Sequence, residues 1–307
     1  MSAVISVSSL TKDYGRGRGV FGIDLCVNKG ECVGLVGANG AGKTTLIRSI
    51  MGFVRSDSGA AFVRGLNSWK SSHEIKRHVG YVPGEIAFPD LGSGTAFIRS
   101  QAEFLGLTDL SYAKELIKIL QIDLSADLKR MSKGMKQKTA LVAALMNDAE
   151  ILIMDEPSTG LDPLMRTSFV EVIQNERKKG KTILMSSHLY GEVEQLCDRV
   201  ALVREGRIEE IAVTEEVLGR ADTEYKIEFL REEDYLAFKE KGYKILRDQP
   251  QYFQVTVIAE KSAAGRLLGD LDGLKVKFIA ENEYTLERHF QRTLSKYKRE
   301  IRKNDAE

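Results

Sequence analysis

Gly37-Ala38-Asn39-Gly40-Ala41-Gly42-Lys43-Thr44 decides how this chain is read. The stretch fits the pattern G-x-x-x-x-G-K-[ST], in which glycines let the backbone curl until successive N–H groups face one anion. It follows the apolar run from Val33 to Val36 and precedes Thr45-Leu46-Ile47-Arg48-Ser49-Ile50, which reads as a helix. Strand, glycine loop and helix start are the context the pattern requires, and the helix N-terminus adds its partial positive charge. In that setting Lys43 reaches the β- and γ-phosphates and the Thr44 hydroxyl sits on Mg²⁺. The loop predicts phosphate binding. Alone, it does not separate a kinase from a GTPase or a motor.

The rest of the chain narrows this. Its 307 residues suffice for one large domain or two modest ones, and 43% hydrophobic residues support a sizeable core. Lys and Arg number 45 against 44 Asp and Glu, so the net charge of +1 gives no support to nucleic acid as a partner. Cys26, Cys32 and Cys197 are odd in number and lack metal-ligand spacing; they read as free buried thiols in a reducing cytosol. Met1-Ser2-Ala3-Val4-Ile5 lacks the basic start of a signal peptide. No run approaches the roughly 20 apolar residues of a membrane helix. The expectation is a soluble protein that acts at a membrane, if at all, through a partner.

Upstream of the loop, Val4-Ile5-Ser6-Val7 with Leu10 alternates like a strand, Arg16-Gly17-Arg18-Gly19 is a turn, and Val20 to Val27 resume strand character. Tyr14 is a candidate to stack on a nucleobase, the alternative being a half-buried edge tyrosine. Downstream, Ala60 to Arg64 form a short strand between glycine turns, which predicts an antiparallel sheet beside the nucleotide core. Val79 to Val82 form a strand that stops at Pro83. From Ile86 to about Leu128 the pattern turns helical. Thr95-Ala96-Phe97-Ile98 with Phe104-Leu105 give one apolar face, and Tyr112, Leu116, Ile117 and Leu120 give another. Ser132 reads as the N-cap of the next helix, and a helix start with a hydroxyl can also hold a second anion.

Ile151-Leu152-Ile153-Met154-Asp155-Glu156 has the continuous apolar run of a strand buried on both faces of a parallel sheet, and it ends in two carboxylates. Asp155 is placed to hold Mg²⁺ through water and Thr44, and Glu156 to polarise an attacking water. Asp162-Pro163 starts a helix that Gly180 closes. Thr182 to Ser187 form a further buried strand ending in His188, at the sheet edge where ligands bind. Composition changes near residue 220. Beyond it the order β-α-β-β-α-β suggests a small ferredoxin-like unit. Residues 222–307 hold 17 basic and 17 acidic residues, so no charged face stands out. The basic tail from Lys296 to Lys303 reads as a solvated helix end, with anionic lipid contact as the alternative.

In the order of these motifs the chain resembles the ATP-binding subunit of an ABC transporter, over roughly residues 3–220. Gly37 to Thr44 match the Walker A loop and Ile151 to Asp155 Walker B, with Glu156 at the catalytic carboxylate. Ser132-Lys133-Gly134-Met135 occupies the signature position, Ser158 to Asp162 the D-loop, His188 the switch histidine and Tyr14 the adenine-stacking aromatic. The resemblance implies an α/β fold: a P-loop NTPase core with an antiparallel β subdomain and a helical insert at about 86–147, in an ATPase domain over 1–220. A small C-terminal α+β (ferredoxin-like) domain over 222–307 follows. ATP and Mg²⁺ are the implied cofactors. Glu156, His188 and Lys43 would be catalytic. Tyr14, Gly37, Ala38, Asn39, Gly40, Ala41, Gly42, Lys43, Thr44, Thr45, Ser132, Gly134 and Asp162 would contact nucleotide, and Thr44 and Asp155 the metal.

The implied partners are a second copy, closed head to tail around two ATP molecules, and a separate integral membrane permease at the cytoplasmic face of the cell membrane. The C-terminal unit, with Tyr284-Thr285-Leu286-Glu287-Arg288-His289-Phe290, resembles the domain appended to many bacterial exporter ATPases, hence export. The sequence departs from the family twice. Met131-Ser132-Lys133-Gly134 stands where Leu-Ser-Gly-Gly is usual. Gly84, followed by Glu85, stands where a Q-loop glutamine should follow Tyr81-Val82-Pro83; Glu85 is a candidate contact to Mg²⁺ or water. The rival readings are a soluble ABC-type ATPase acting on ribosomes or DNA and a regulatory ATP-binding module. A single set of motifs and the lack of sustained heptads speak against the first.

Overall fold

The computed structural model describes residues 3–219, 222–260, 264–282 and 284–304. It divides into two units, Met1–Val213 and Thr214–Glu307. The first unit begins with β1 (Ala3–Asp13), β2 (Gly19–Asn28), β3 (Cys32–Val36), α1 (Lys43–Ile50), β4 (Ser58–Val63), β5 (Leu66–Asn67), α2 (Ser72–Arg77) and β6 (Val79–Val82). Three helices follow: α3 (Gly94–Leu105), α4 (Ser111–Ile119) and α5 (Lys133–Leu145). It closes with β7 (Ile151–Asp155), α6 (Pro163–Lys178), β8 (Thr182–Ser187), α7 (Tyr190–Leu196), β9 (Arg199–Arg204) and β10 (Arg207–Val213).

Two sheets result. The strands β2-β1-β4-β5 form an antiparallel sheet, and β10-β9-β3-β8-β7-β6 form a second whose inner strands are parallel. Strands β3, β7 and β8 are buried at every residue, as their unbroken apolar runs require when both faces of a parallel sheet are covered. In β2 burial alternates: Ile23, Leu25 and Val27 point inward and Asp24 and Cys26 outward. Cys26 is therefore exposed, contrary to expectation, because the period of two sends it to the solvent face; Cys32 and Cys197 are buried. Helix α1 lies between the sheets, packing on β1, β2 and β4 of one and β7 of the other. Its Leu46, Ile47 and Ile50 are wholly buried, so the helix launched by the phosphate loop is the centre of the core.

In the helical insert Phe97, Ile98, Leu116 and Leu120 are buried. Phe104 does not join that face; it lies in the final turn before Gly106 ends α3 and is 83% exposed. Helices α2 and α7 had no signal in the sequence, because six or seven residues are too few to establish a 3.6-residue period.

The second unit contains α8 (Thr214–Leu218), β11 (Asp222–Phe229), α9 (Glu232–Lys239), β12 (Lys244–Gln249), β13 (Gln254–Glu260), α10 (Ala264–Asp270), β14 (Val276–Asn282) and α11 (Leu286–Asn304). Its antiparallel sheet runs β12-β13-β11-β14. Tyr225, Ile227, Phe229, Val255 and Val257 form a core with Tyr235 and Phe238 of α9 and Leu267 of α10. The side chains of the basic run from Lys296 to Lys303 lie outside the described residues.

One buried charge fastens the insert to the core. Glu176 of α6 is wholly buried and accepts hydrogen bonds from Tyr112 Oη of α4 at 2.5 Å and from Lys181. Lys179 Nζ lies 2.7 Å from its carboxylate and 4.0 Å over the Tyr112 ring. Burial opposes ionisation of Glu176. The bonds from Lys179, Lys181 and Tyr112 outweigh it and hold the carboxyl below its ordinary value of 4.5. A depressed carboxyl contributes stability that is present above its unfolded value and lost as pH falls through the folded one. Glu176→Gln should therefore lower the stability of the first unit by about 3 kcal/mol at neutral pH. The gap to wild type should narrow as pH drops below 4.5. Urea unfolding followed by Trp69, the chain's single tryptophan, reads both effects; a gap constant with pH would contradict the account.

Candidate nucleotide site

Four adjacent strands, β3, β8, β7 and β6, end on the same edge of the parallel sheet. Each delivers one part of a site there: the Gly37–Thr44 loop after β3, His188 after β8, Asp155 and Glu156 at the end of β7, and Gly84-Glu85 beyond β6. This is the edge at which open α/β sheets bind ligands. A cavity of about 570 Å³ opens over it, lined by loop residues Asn39, Gly40, Ala41, Gly42, Lys43, Thr44 and Thr45 together with Tyr14, Arg18, Gly84, Glu85, Glu156, Thr159 and His188.

Close backbone packing sets the cavity's shape. A Cβ on Gly42 would lie 2.9 Å from the Gly19 carbonyl oxygen, and one on Gly206 would lie 2.6 Å from the same atom. A Cβ on Gly19 would lie 1.9 Å from Lys12 O. The β1–β2 turn, the phosphate loop and the β9–β10 turn thus meet backbone to backbone. Gly206 N donates to Ala41 O at 2.9 Å and Phe21 N to Gly206 O at 2.8 Å. Tyr14 N donates to Arg18 O at 2.8 Å, closing the turn that carries both side chains to the cavity.

The charged groups are paired. Lys43 Nζ donates to Gly37 O at 2.7 Å and Ala38 O at 3.3 Å, and lies 3.3 Å from Glu156 Oε1. Gly37 and Ala38 thus meet the site through carbonyls that the lysine binds. The Glu156 carboxylate also contacts His188 Nδ1 at 2.5 Å. Burial works to raise the Glu156 carboxyl; the His188 hydrogen bond and the Lys43 charge outweigh it, and the net shift is downward. Glu156 has φ +50°, a left-handed conformation uncommon outside glycine, and its N–H donates to Ser186 Oγ at 2.9 Å. Ser186 Oγ in turn donates to Asp155 Oδ1 at 2.6 Å. Asp155 is wholly buried, and its Oδ2 has no hydrogen-bond partner.

Sequence reasoning missed four participants. Arg18 and Thr159 line the cavity. Ser186 joins Asp155 to Glu156; it stands opposite Asp155 in the neighbouring strand β8, a pairing the sequence alone does not display. Glu192 accepts from Ser158 Oγ at 2.8 Å and Ser187 Oγ at 3.1 Å, tying the turn after Glu156 to the one before His188. It sits on the unforeseen helix α7, and no sequence pattern marked it.

A family model described as ABC transporter matches residues 20–159. The chain is 34% identical over 222 residues to the linearmycin resistance ATP-binding protein LnrL of Bacillus subtilis, spanning 71% of each. The chain belongs to the ABC transporter ATP-binding proteins. It is also 35% identical over 213 residues to Nod factor export ATP-binding protein I of Paraburkholderia xenovorans, spanning 67% of this chain and 69% of that one. A solved structure of the ATP-binding subunit of an ABC transporter matches with a TM-score of 0.63 at 28% identity, over 71% of this chain and 92% of that one. The protein is thus an ATP-binding and ATP-hydrolysing transporter subunit. No helix among its described residues is long and apolar enough to cross a membrane.

Five expected nucleotide contacts of this ABC subunit do not line the cavity: Gly37 and Ala38, which reach it only through the Lys43 ammonium, and Ser132, Gly134 and Asp162. Ser132 Oγ accepts from Met135 N at 3.2 Å and Asp162 Oδ1 from Met165 N at 3.0 Å, each capping its helix. A Cβ on Gly134 would lie 2.7 Å from Gly160 O, so the start of α5 abuts the Ser158–Asp162 turn. Ser132, Gly134 and Asp162 stay out of the cavity, although Thr159 of the same turn lines it. The glycine packing is testable. Gly206→Ala should weaken ATP binding about tenfold by forcing the three turns apart. Gly180→Ala has a similar φ of +80° but open space around it and should leave ATP affinity unchanged. Calorimetric titration of both variants measures the difference.

Proposed function

We propose that this subunit binds Mg·ATP in the cavity over the sheet edge, closes head to tail on a second copy, and hydrolyses ATP at Glu156 to drive export through a separate permease at the cytoplasmic face of the membrane. The observation that carries the reading is the division of the expected residues. Loop, Glu156 and His188 line one cavity, while Ser132, Gly134 and Asp162 gather at helix starts outside it. One chain offers half of a site and the complementary half of another.

The Asp155 Oδ2 atom, buried and unpaired, fits a cation or a cation-bound water. Among the described residues no group of three or more His, Cys, Asp or Glu is placed to hold a metal. A bound Mg²⁺ would therefore rest on Asp155, the Thr44 hydroxyl and phosphate oxygens, the donor set this small hard cation favours. Its contribution is to neutralise charge across the β- and γ-phosphates.

Lys43 is satisfied by the Gly37 and Ala38 carbonyls and Glu156. A triphosphate offers it a stronger partner, which releases Glu156 to orient water. Glu156 is held ionised, so it polarises that water rather than donating a proton to it. His188, bonded to Glu156, is placed to donate to a γ-phosphate oxygen. Tyr14, 48% exposed at the mouth, offers its ring to the base. Export is supported by the similarity to the Nod factor export protein, and the resistance protein LnrL is in keeping with it.

Glu156→Gln should preserve ATP affinity, reduce hydrolysis 10²–10⁴-fold, roughly the range for general-base loss, and accumulate an ATP-bound dimer on size-exclusion chromatography. Hydrolysis at the wild-type rate would remove Glu156 from its role. Ser132→Arg, outside the cavity, should leave monomer ATP affinity intact while abolishing both dimer and turnover; retained turnover would overturn the two-copy site.

A further inference from the structure

We propose that Glu192 is a positioning residue for hydrolysis: it joins the turns that carry Glu156 and His188, so its loss slows turnover without weakening ATP binding. The proposal rests on the reading of Glu156 above. Glu192 is not among the residues lining the nucleotide cavity. It lies in the first turn of α7 and is 7% exposed. Val193 and Leu196 of the same helix are wholly buried, so its base is fixed. One oxygen, Oε2, accepts from two hydroxyls, Ser158 Oγ at 2.8 Å and Ser187 Oγ at 3.1 Å. Both serines are buried. Ser158 stands two residues after Glu156, and Ser187 directly precedes His188. A single atom thus ties together the segments whose Glu156 Oε2 and His188 Nδ1 meet at 2.5 Å.

The bonds continue from this atom to the reacting groups. Ser187 Oγ accepts from Leu189 N at 3.0 Å, which closes the turn through His188. On the other side Thr159 N donates to Glu156 O at 3.1 Å and Leu161 N to Ser158 O at 3.1 Å, so the turn after Glu156 is wound on Ser158. Glu156 holds φ +50° at the head of this turn, a conformation that persists only where the surroundings over-determine it. Glu192 Oε1 is buried without a partner, which is a cost. An apolar side chain would avoid that cost, so packing alone does not account for the residue; the two hydroxyls it holds do. An amide oxygen also has two lone pairs and can accept both. In Glu192→Gln the amide nitrogen would take the place of Oε1, where it displaces no existing bond. Alanine leaves both hydroxyl protons without an acceptor and the two turns untied.

The test separates rate from affinity in the full-length protein. Glu192→Ala should keep the ATP dissociation constant of wild type by calorimetry and lower kcat about a hundredfold, the cost of misplacing a reacting group by about 1 Å. Glu192→Gln should turn over close to wild type. Ser158→Ala removes one of the two bonds and should also slow hydrolysis, which keeps the test open if Glu192→Ala does not fold. Combined with Glu192→Ala it should slow hydrolysis no further, because both changes break the same contact. In a Glu156→Gln background Glu192→Ala should leave the ATP-bound dimer intact on size-exclusion chromatography, which places the loss in the chemical step. A structural role alone would lower ATP affinity or the dimer in parallel with the rate, and that outcome overturns the proposal. So does wild-type kcat in Glu192→Ala or Ser158→Ala, or a Glu192→Gln variant no faster than Glu192→Ala. Full hydrolysis by Glu156→Gln alone would instead remove the reading of Glu156 on which the proposal rests.

Discussion

Around the start of α1 the phosphate loop and the β9–β10 turn both pack on the Gly19 carbonyl so closely that neither Gly42 nor Gly206 has room for a Cβ. Gly19, Gly42 and Gly206 come from the antiparallel sheet, the phosphate loop and the edge hairpin of the parallel sheet. Their contact is what makes one cavity of elements far apart in sequence. It fixes the turn bearing Tyr14 and Arg18 relative to the loop bearing Lys43, and so fixes the distance between the places proposed for a base and for its phosphates. The loop itself is anchored inward, because α1 is wholly buried along Leu46, Ile47 and Ile50. A nucleotide-binding surface is thereby carried by the most deeply buried helix of the unit rather than by a peripheral one.

The charges over this scaffold are arranged so that few are left unpaired before ligand arrives. Lys43 binds the carbonyls of its own loop and approaches Glu156, which also holds His188. Ser186 serves both carboxylate residues, and Glu192 serves the two serines flanking them. Within this network the buried side-chain oxygens without a partner are Asp155 Oδ2 and Glu192 Oε1. A buried lone oxygen on a carboxylate is costly. Of the two, Asp155 Oδ2 is the one packed against Gly84, which lines the cavity. The strained φ of Glu156 belongs to the same economy of space: it turns the chain sharply enough to present the second carboxylate to the cavity while the first stays buried.

The sequence showed those parts whose physics is local. Glycine spacing before a helix, apolar runs ending in carboxylates, and capping pairs such as Asp162-Pro163 each constrain a few consecutive residues, and each stands where local reasoning puts it. The β-α-β-β-α-β order after residue 222 was legible for the same reason. Contacts between residues remote in the chain were not. The serine that bridges Asp155 and Glu156 lies about thirty positions away, at Ser186. The steric reason for Gly84 appears only when Asp155 is packed against it. Cys26 was misplaced although the alternation of its own strand contained the answer; its type suggested burial, and the period of two decided otherwise.

The residues outside the cavity pose a chemical question: whether a side chain already used as a helix cap can also bind a ligand. Ser132 Oγ receives the Met135 N–H, which engages one lone pair and leaves the hydroxyl proton free to donate. An anion needs a donor, so capping and anion binding use opposite ends of the same group. The first N–H groups of α5 lie beside it and add donors and the positive end of the helix dipole. Asp162 caps through Oδ1 alone, which leaves Oδ2 able to accept from a facing chain. Gly134 lets this helix start lie against Gly160 without an intervening side chain. The cap at Ser132 is therefore a reason to expect anion binding there, because it holds the hydroxyl oriented before any phosphate arrives.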